Sequence, residues 1–299
     1  MYYGVEVVRV AIITKNPDAW CTSQLREALK RRKVEVCCTF FKRFLARVGY
    51  GVEATIEGFR APQDLDGVVV RPIGRGSLEE VVFRMDFLRR LERAGVFVVN
   101  PPEAIEICVD KYRALYLLEE AGLPVPRTAV AEGVQQAMEA FHELGGDVVV
   151  KPLFGSRGVG STRINDPEVA RRVFSTLAFH HHVLYLQEFV PHGRSDVRAF
   201  VLGGEVIAAM RRVSRGWKTN ISQGARPEHA ELSPELEELA VKASSIVGCR
   251  MAGVDILEGP RGPLLIELNS QPGWKGLQTV TPFSIADRIA DYVVSELKR

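Results

Sequence analysis

Short runs of β-branched and aliphatic residues recur through the first hundred positions, separated by stretches whose apolar residues return every three to four places. The runs are VVRVAIIT, VEVCC, LDGVVVR and GVFVVN, and the clearest helix between them starts at Ser77, with Glu80 three residues on as a capping box. Strand–helix alternation of this kind predicts a small parallel sheet with helices on its faces. The doublet Pro101-Pro102 interrupts it and marks a boundary. Beyond lie a helix over Asp110 to Ala121, a proline-rich turn from Leu123 to Pro126, a helix to Leu144, and the strands DVVVKPLF and STRIN. The pattern then changes to hairpins. DVRAFVLGGEVIAAMRRV turns at Gly203-Gly204, and GVDILEGPRGPLLIELN turns between Gly259 and Gly262. Ser233 before Pro234 starts a helix to Val247, and an amphipathic helix from Ser284 closes the chain. The fold class is therefore α/β followed by α+β.

Composition narrows the possibilities. The chain has 299 residues, enough for about two domains, with 39 basic against 37 acidic side chains and a formal charge of +2. A balance so close to zero argues against a polyanion binder, so no nucleic-acid partner is expected. No apolar run approaches the roughly 20 residues that cross a bilayer. Met1 to Thr14 carries Glu6 and Arg9 within its apolar stretch, as a first strand does and a signal peptide does not. These features predict a cytoplasmic protein without membrane contact. Cys21, Cys37, Cys38, Cys108 and Cys249 form an odd set without a C-x-x-C pair, which suits reduced, buried thiols. His180-His181-His182 cannot converge on one metal from adjacent positions and fits a solvated helix end.

Three groups of residues suggest chemistry. The run from Gly155 through Ser156, Arg157, Gly158 and Val159 to Gly160 follows a strand, and glycine lets backbone N–H groups approach phosphate closely. It lies in mid-chain and precedes another strand, which disfavours a dinucleotide fingerprint and suits a flap over phosphates. Lys151 sits just upstream among valines, and Lys111 opens a helix; either can snorkel to solvent or reach a phosphate. Finally, Glu267 and Asn269 are two apart and share a strand face, and a paired strand brings Asp255 beside them. Two carboxylates and an amide oxygen make a hard set suited to magnesium.

Taken in order with Gln187-Glu188-Phe189-Val190, Asp196-Val197-Arg198, Arg211-Arg212 and Lys218-Thr219-Asn220, these motifs resemble the ATP-grasp ligases, specifically the RimK-like glutamate ligases. The likeness covers about Asn100 to Arg299 and, more loosely, the first domain. It implies an ATP-grasp fold with an N-terminal Rossmann-like (pre-ATP-grasp) domain, divided as 1–100, 101–188 and 189–299. It implies that Lys111 and Lys151 contact the ATP phosphates under the Gly155–Gly160 loop, that Gln187 to Val190 hold adenine, and that Asp196 meets the ribose. Lys218, Thr219 and Asn220 would complete the nucleotide site, and Asp255, Glu267 and Asn269 would hold Mg2+ or Mn2+, as two ions. Arg212 would stabilise the reacting phosphoryl and acyl groups; Arg198 would touch substrate, and Arg211 has no counterpart. The implied reaction joins L-glutamate to a small-molecule carboxylate acceptor through an acylphosphate, in a homodimer or homotetramer. The run Asn269 to Gln278 is closer to the archaeal enzymes acting on a pterin or deazaflavin coenzyme, where Trp274 would stack on a flat ring or else serve as simple packing. Arg71 and Arg75, in a loop one residue longer than the family's pattern, would bind a carboxylate. Ligation onto a ribosomal-protein tail or an amino-group carrier protein stays open, as does a nucleotide sensor without turnover.

Overall fold

The β-branched runs of the first hundred residues pair as their alternation requires. In the computed structural model, which describes residues 7–50, 54–57, 59–155 and 158–298, they form β1 (Arg9–Ile13), β2 (Glu35–Thr39), β6 (Gly67–Val70) and β7 (Phe97–Val99), with α1 (Trp20–Arg31) and α2 (Leu78–Arg93) between them. Ser156, Arg157 and residues 1–6 lie outside the described residues. The four strands are parallel, in the order β2-β1-β6-β7. At the start of α2 the Glu80 N–H donates to Ser77 Oγ at 3.2 Å and the Ser77 N–H to Glu80 Oε2 at 2.9 Å, the capping box expected. A small antiparallel sheet of β3 (Phe44–Ala46), β4 (Ala54–Ile56) and β5 (Phe59–Ala61) occupies the crossover from β2 to β6, and was not foreseen: three-residue strands carry too little alternation to be read.

Pro102 opens α3 (Pro102–Val109) at its first turn, and Asp110 caps α4 (Lys111–Glu120) by accepting from the N–H groups of Tyr112 and Arg113 at 3.0 and 3.1 Å. There follow β8 (Thr128–Ala131), α5 (Val134–Glu143), β9 (Val148–Lys151), β10 (Thr162–Ile164), α6 (Pro167–Phe179) and β11 (Leu184–Glu188). These strands make an antiparallel sheet in the order β10-β9-β11-β8. The edge strand β8 was not read from TAVA, which has neither length nor aromatic content. His180 to His182 are exposed beyond α6, as a solvated helix end should be.

The two foreseen hairpins are β12 (Ser195–Leu202) with β13 (Glu205–Val213) and β15 (Met251–Gly259) with β16 (Gly262–Asn269). With β14 (Arg226–His229) they form a five-stranded sheet ordered β14-β13-β12-β15-β16. α7 (Pro234–Ile246), α8 (Lys275–Gln278) and α9 (Ile285–Leu297) complete the chain. Strand alternation sorts this sheet into two faces. Val197, Ala199 and Val201, with Val254, Ile256, Leu265 and Leu268, bury one face against α3, α4 and α7. At about 1.5–3 kcal/mol for each large aliphatic side chain fully buried, this is the platform that holds the other face in place. The other face is polar at Asp196 and Arg198, then apolar at Phe200 and Leu202, where it joins Trp274, α9 and the parallel sheet in one core. The cysteines depart from expectation: only Cys249 is buried, and the other four are half-buried. Cys108 and Cys249 lie with their Sγ atoms 3.6 Å apart.

Candidate active site

A cleft of about 800 Å³, partly open to solvent, lies between the antiparallel four-stranded sheet and the five-stranded sheet, and residues from both line it. Its floor is the polar end of the five-stranded sheet. Arg212 on β13 lies opposite Asp196 on β12, Arg198 opposite Asp255 on β15, and Asp255 opposite Glu267 on β16. Cross-strand register therefore sets five charged side chains on one face. Arg212 donates to Asp196 through Nε at 2.7 Å and reaches Asp255 at 3.0 Å, while Arg198 forks onto Asp255, with 2.6 Å at one arm. Thr219 Oγ1 donates to Asp196 at 2.7 Å. Both Asp196 oxygens are thereby engaged inside the protein.

Glu267 differs from its neighbours: among the described residues no side chain closes an ion pair with it. Burial pushes its carboxyl above the ordinary range and the Asp255 charge pushes further, while Lys111, Arg198 and Lys151 pull it back. Burial also raises Asp255, but Arg198 and Arg212 outweigh it and hold Asp255 below its ordinary value. A buried carboxylate and a half-buried one directly opposed, the latter with no cation of its own, are what a hard divalent cation would complete. Asn269 shares the Glu267 face, half-buried and opposite Gly253, one pleat beyond the residues lining the cleft. The register slips between Asp255 and Ile256, so Leu265 and Leu268 both face the core while Ile266 joins Glu267 in the cleft.

The roof carries the lysines. Lys151 ends β9 and donates to Gln187 Oε1 at 2.5 Å; burial lowers its ammonium to about 8. Lys111 donates to the carbonyls of Leu153 and Gly155 at 3.2 and 2.8 Å, tying α4 to the root of the glycine run. Beyond that root Phe154 and Val159 are 66% and 61% exposed. Gly158, at φ +68°, approaches the Asn220 side chain so closely that a Cβ would collide with Oδ1.

At the far end, β11 leads into Gln187 to Val190. The Glu188 and Phe189 N–H groups are spent on the carbonyls of Arg127 and Asp147, both at 2.9 Å, and the Glu188 carboxylate pairs with Arg127 and Arg261. Arg163 lies 3.4 Å from the Phe189 ring centre and forks onto Asp147, which fixes that ring. Trp217 meets Phe189 edge-on at 6.3 Å and lines the cleft beside Lys218, a contribution not anticipated although it adjoins the Lys218-Thr219-Asn220 motif.

Two expectations need correction or relocation. Trp274 is 0% exposed and packs edge-on against Phe200 at 6.3 Å, so it cannot stack on an incoming ring; its indole is worth more inside the core. Arg71 is buried against Trp274, outside the cleft lining, whereas Arg75 is exposed.

A model of the RimK-like ATP-grasp domain matches residues 108–293, and one of the RimK pre-ATP-grasp domain matches residues 8–105. The chain belongs to the RimK-like ATP-grasp family. This RimK-like chain is 36% identical to the tetrahydromethanopterin:alpha-L-glutamate ligase of Methanosarcina acetivorans, over 77% of its own length and 80% of that protein. It is 35% identical to the ligase of the same name from Methanococcus maripaludis, over 97% and 99% of the two chains. A probable alpha-L-glutamate ligase of Rhodopirellula baltica is 32% identical over 97% of this chain and 72% of that one. Among solved structures, the ATP-grasp ligase PsnB complexed with minimal precursor, Mg and ADP superposes with a TM-score of 0.74 at 23% identity, over 97% and 98% of the chains. The RimK domain protein ATP-grasp from Sphaerobacter thermophilus gives 0.75 at 21%, over 95% and 99%. The ATP-grasp fold with its pre-ATP-grasp domain is thus the fold expected from sequence. No helix among the described residues is long and apolar enough to cross a membrane.

Proposed function

We propose that the chain is an ATP- and magnesium-dependent carboxylate–amine ligase that adds L-glutamate to a small-molecule coenzyme of the tetrahydromethanopterin type. The observation that carries this reading is the opposed pair Asp255 and Glu267 at the floor of a cleft whose roof bears Lys111 and Lys151. ATP would lie with its phosphates between these groups, beside Gly155 and Gly158, and with its base against Phe189, Val190 and Trp217. With the hinge N–H groups of Glu188 and Phe189 already bonded, base reading falls to Val190 and the hinge carbonyls. Asp255, Glu267 and Asn269 would hold magnesium, which supplies charge neutralisation to the polyphosphate. An oxygen of the acceptor carboxylate attacks the γ-phosphorus and ADP departs, giving an acylphosphate. Arg212, already fixed by Asp196, supports the charge that develops on the transferred group. The amine of L-glutamate then attacks the acyl carbon, phosphate leaves with one former carboxylate oxygen, and the amine sheds a proton to give the amide.

The test is purified protein with ATP, magnesium and L-glutamate, with tetrahydromethanopterin, a deazaflavin coenzyme or an acidic peptide added singly. ADP release and a product heavier by one glutamyl residue are expected with the pterin. Release with the peptide alone would move the acceptor to a polypeptide; release with none would sink the ligase reading.

Two further results are expected. Alanine at Gly158 meets both the left-handed φ and the Asn220 side chain, a penalty of about 1–2 kcal/mol, so KM for ATP should rise about tenfold with the fold unchanged. Lys151 sets a pH dependence. Its folded value, about 8, lies below its ordinary 10.5, so in the free protein the cost of burying the charged form is fully present below pH 8 and is relieved between pH 8 and 10.5. Bound phosphates raise that value again, so nucleotide binding takes up a proton above pH 8, and Mg–ADP affinity should fall with pH up to about tenfold per unit. Calorimetry at pH 7, 8 and 9 measures it, and Lys151→Met should flatten the profile. The exposed Leu78, Val82 and Phe83 on one end of α2 support the homodimer or homotetramer reading, which light scattering checks.

A further inference from the structure

The parallel sheet runs β2-β1-β6-β7, so its direction of growth reverses between β1 and β6. In open α/β sheets, ligands settle outside the carboxyl ends of the strands at such a point. Arg71 is the first residue after β6, and its N–H donates to the Ile13 carbonyl at the end of β1, at 2.8 Å. The residue is 2% exposed, and its Nε and Nη1 atoms have no acceptor among the described residues. Burial pulls this guanidinium down to about 10, against a small opposing pull from the Cys21 thiol. Removing a cation from water without an anion beside it is strongly unfavourable, so such a group calls for an explanation outside the fold.

The facing wall is the loop after β16. The Arg71 guanidinium lies 4.6 Å from the centre of the buried Trp274 ring. Four buried side-chain nitrogens lack a partner among the described residues: Arg71 Nε and Nη1, Gln271 Nε2 and Trp274 Nε1. All four are donors, and all belong to Arg71 and this one loop. The loop is firmly held. Asn100 donates to the carbonyls of Ser270 and Met251 at 2.5 and 2.7 Å and accepts from the Met251 N–H at 2.8 Å. Pro272 sits over Gly253, where a Cβ would come within 3.0 Å of it and 2.9 Å of Arg198. The loop therefore runs straight from Asn269 and the Arg198–Asp255 pair to Arg71.

We propose that Arg71, with the side-chain N–H groups of Gln271 and Trp274, forms a carboxylate-binding subsite that docks an acid group of a ligation substrate beside the phosphoryl-transfer face. A guanidinium offers a carboxylate two parallel N–H donors, and a planar ring beneath it keeps the fork oriented. The inference rests on the ligase reading for the substrate's identity; the carboxylate belongs either to L-glutamate or to the acid arm of the acceptor, and the recognition chemistry is the same.

Binding without turnover tests it first. The full chain with Mg–ADP is titrated calorimetrically with glutarate, L-glutamate and the uncharged glutaramide. Wild type should bind an acid and not glutaramide; Arg71→Met should weaken that binding about tenfold to a hundredfold, and Arg71→Lys should restore part of it. Because Arg71→Met removes an unpaired buried cation, its melting temperature should hold or rise and its Mg–ADP affinity should stay unchanged. In turnover, the KM that rises, for L-glutamate or for the acceptor, names the source of the carboxylate, with kcat retained. Equal acid binding by wild type and Arg71→Met, no discrimination between glutarate and glutaramide, or a loss of stability together with nucleotide affinity would overturn the proposal. If the ligase reading alone were wrong, ADP release would be missing while Arg71-dependent acid binding persisted.

Discussion

Glu267→Gln should lower kcat about a thousandfold and leave the folded protein as stable as before, or more so. Both halves follow from one feature. Glu267 is half-buried, faces Asp255 directly, and is closed by no cation among the described residues, so its charge is a burden on the free fold. Glutamine keeps the shape and removes that charge. The same charge is what would hold the magnesium that offsets the γ-phosphate, and losing it should raise the magnesium concentration at half-maximal rate as well as reduce kcat. A thermal melt and a magnesium titration separate the halves. A variant that loses stability and rate in proportion would mean that Glu267 is a structural residue.

Arg212→Met should fail on both counts. Arg212 is buried between Asp196 and Asp255, and its removal leaves two carboxylates with less compensation in the sheet floor. Breaking one partner of a buried ion pair typically costs about 3–5 kcal/mol, so the variant should unfold at markedly lower denaturant concentration, and any folded fraction should turn over at least about a hundredfold more slowly. Asp196→Asn added to Arg212→Met should recover part of the stability and none of the rate. That non-additive pattern, measured as a double-mutant cycle, distinguishes a group that both anchors the floor and touches the reacting phosphoryl from one that only anchors. Equal recovery of rate and stability would reduce Arg212 to an anchor.

Much of this site was legible because strand period and hairpin turns are local signals. The spacing of Glu267 and Asn269 places them on one face, and the two glycine turns set which strands pair, so the opposition of Asp255 and Glu267 needed no tertiary information. The capping boundaries at Ser77, Asp110, Ser233 and Ser284 were local too. What escaped depends on long-range packing. The register slip beside Asp255 turns Ile266 into the cleft, and nothing in LLIELN announces it. Trp274 reads as a ring-stacking aromatic as readily as a packing one until Phe200, α9 and the parallel sheet are seen to close around it. Arg71 and Gln271 are 200 positions apart in sequence, and only the fold brings the Arg71 side chain against the loop that carries Gln271. Tertiary placement, rather than residue type, separates the two arginines of RPIGRGS, one buried against Trp274 and one exposed.

The measurement that bears most directly on the account follows one oxygen atom. With the acceptor carboxylate labelled with 18O, the protein, Mg–ATP and L-glutamate should yield inorganic phosphate carrying one 18O for each amide formed, since that oxygen bridges to phosphorus in the acylphosphate and leaves with it. Amide formed with unlabelled phosphate would contradict the account.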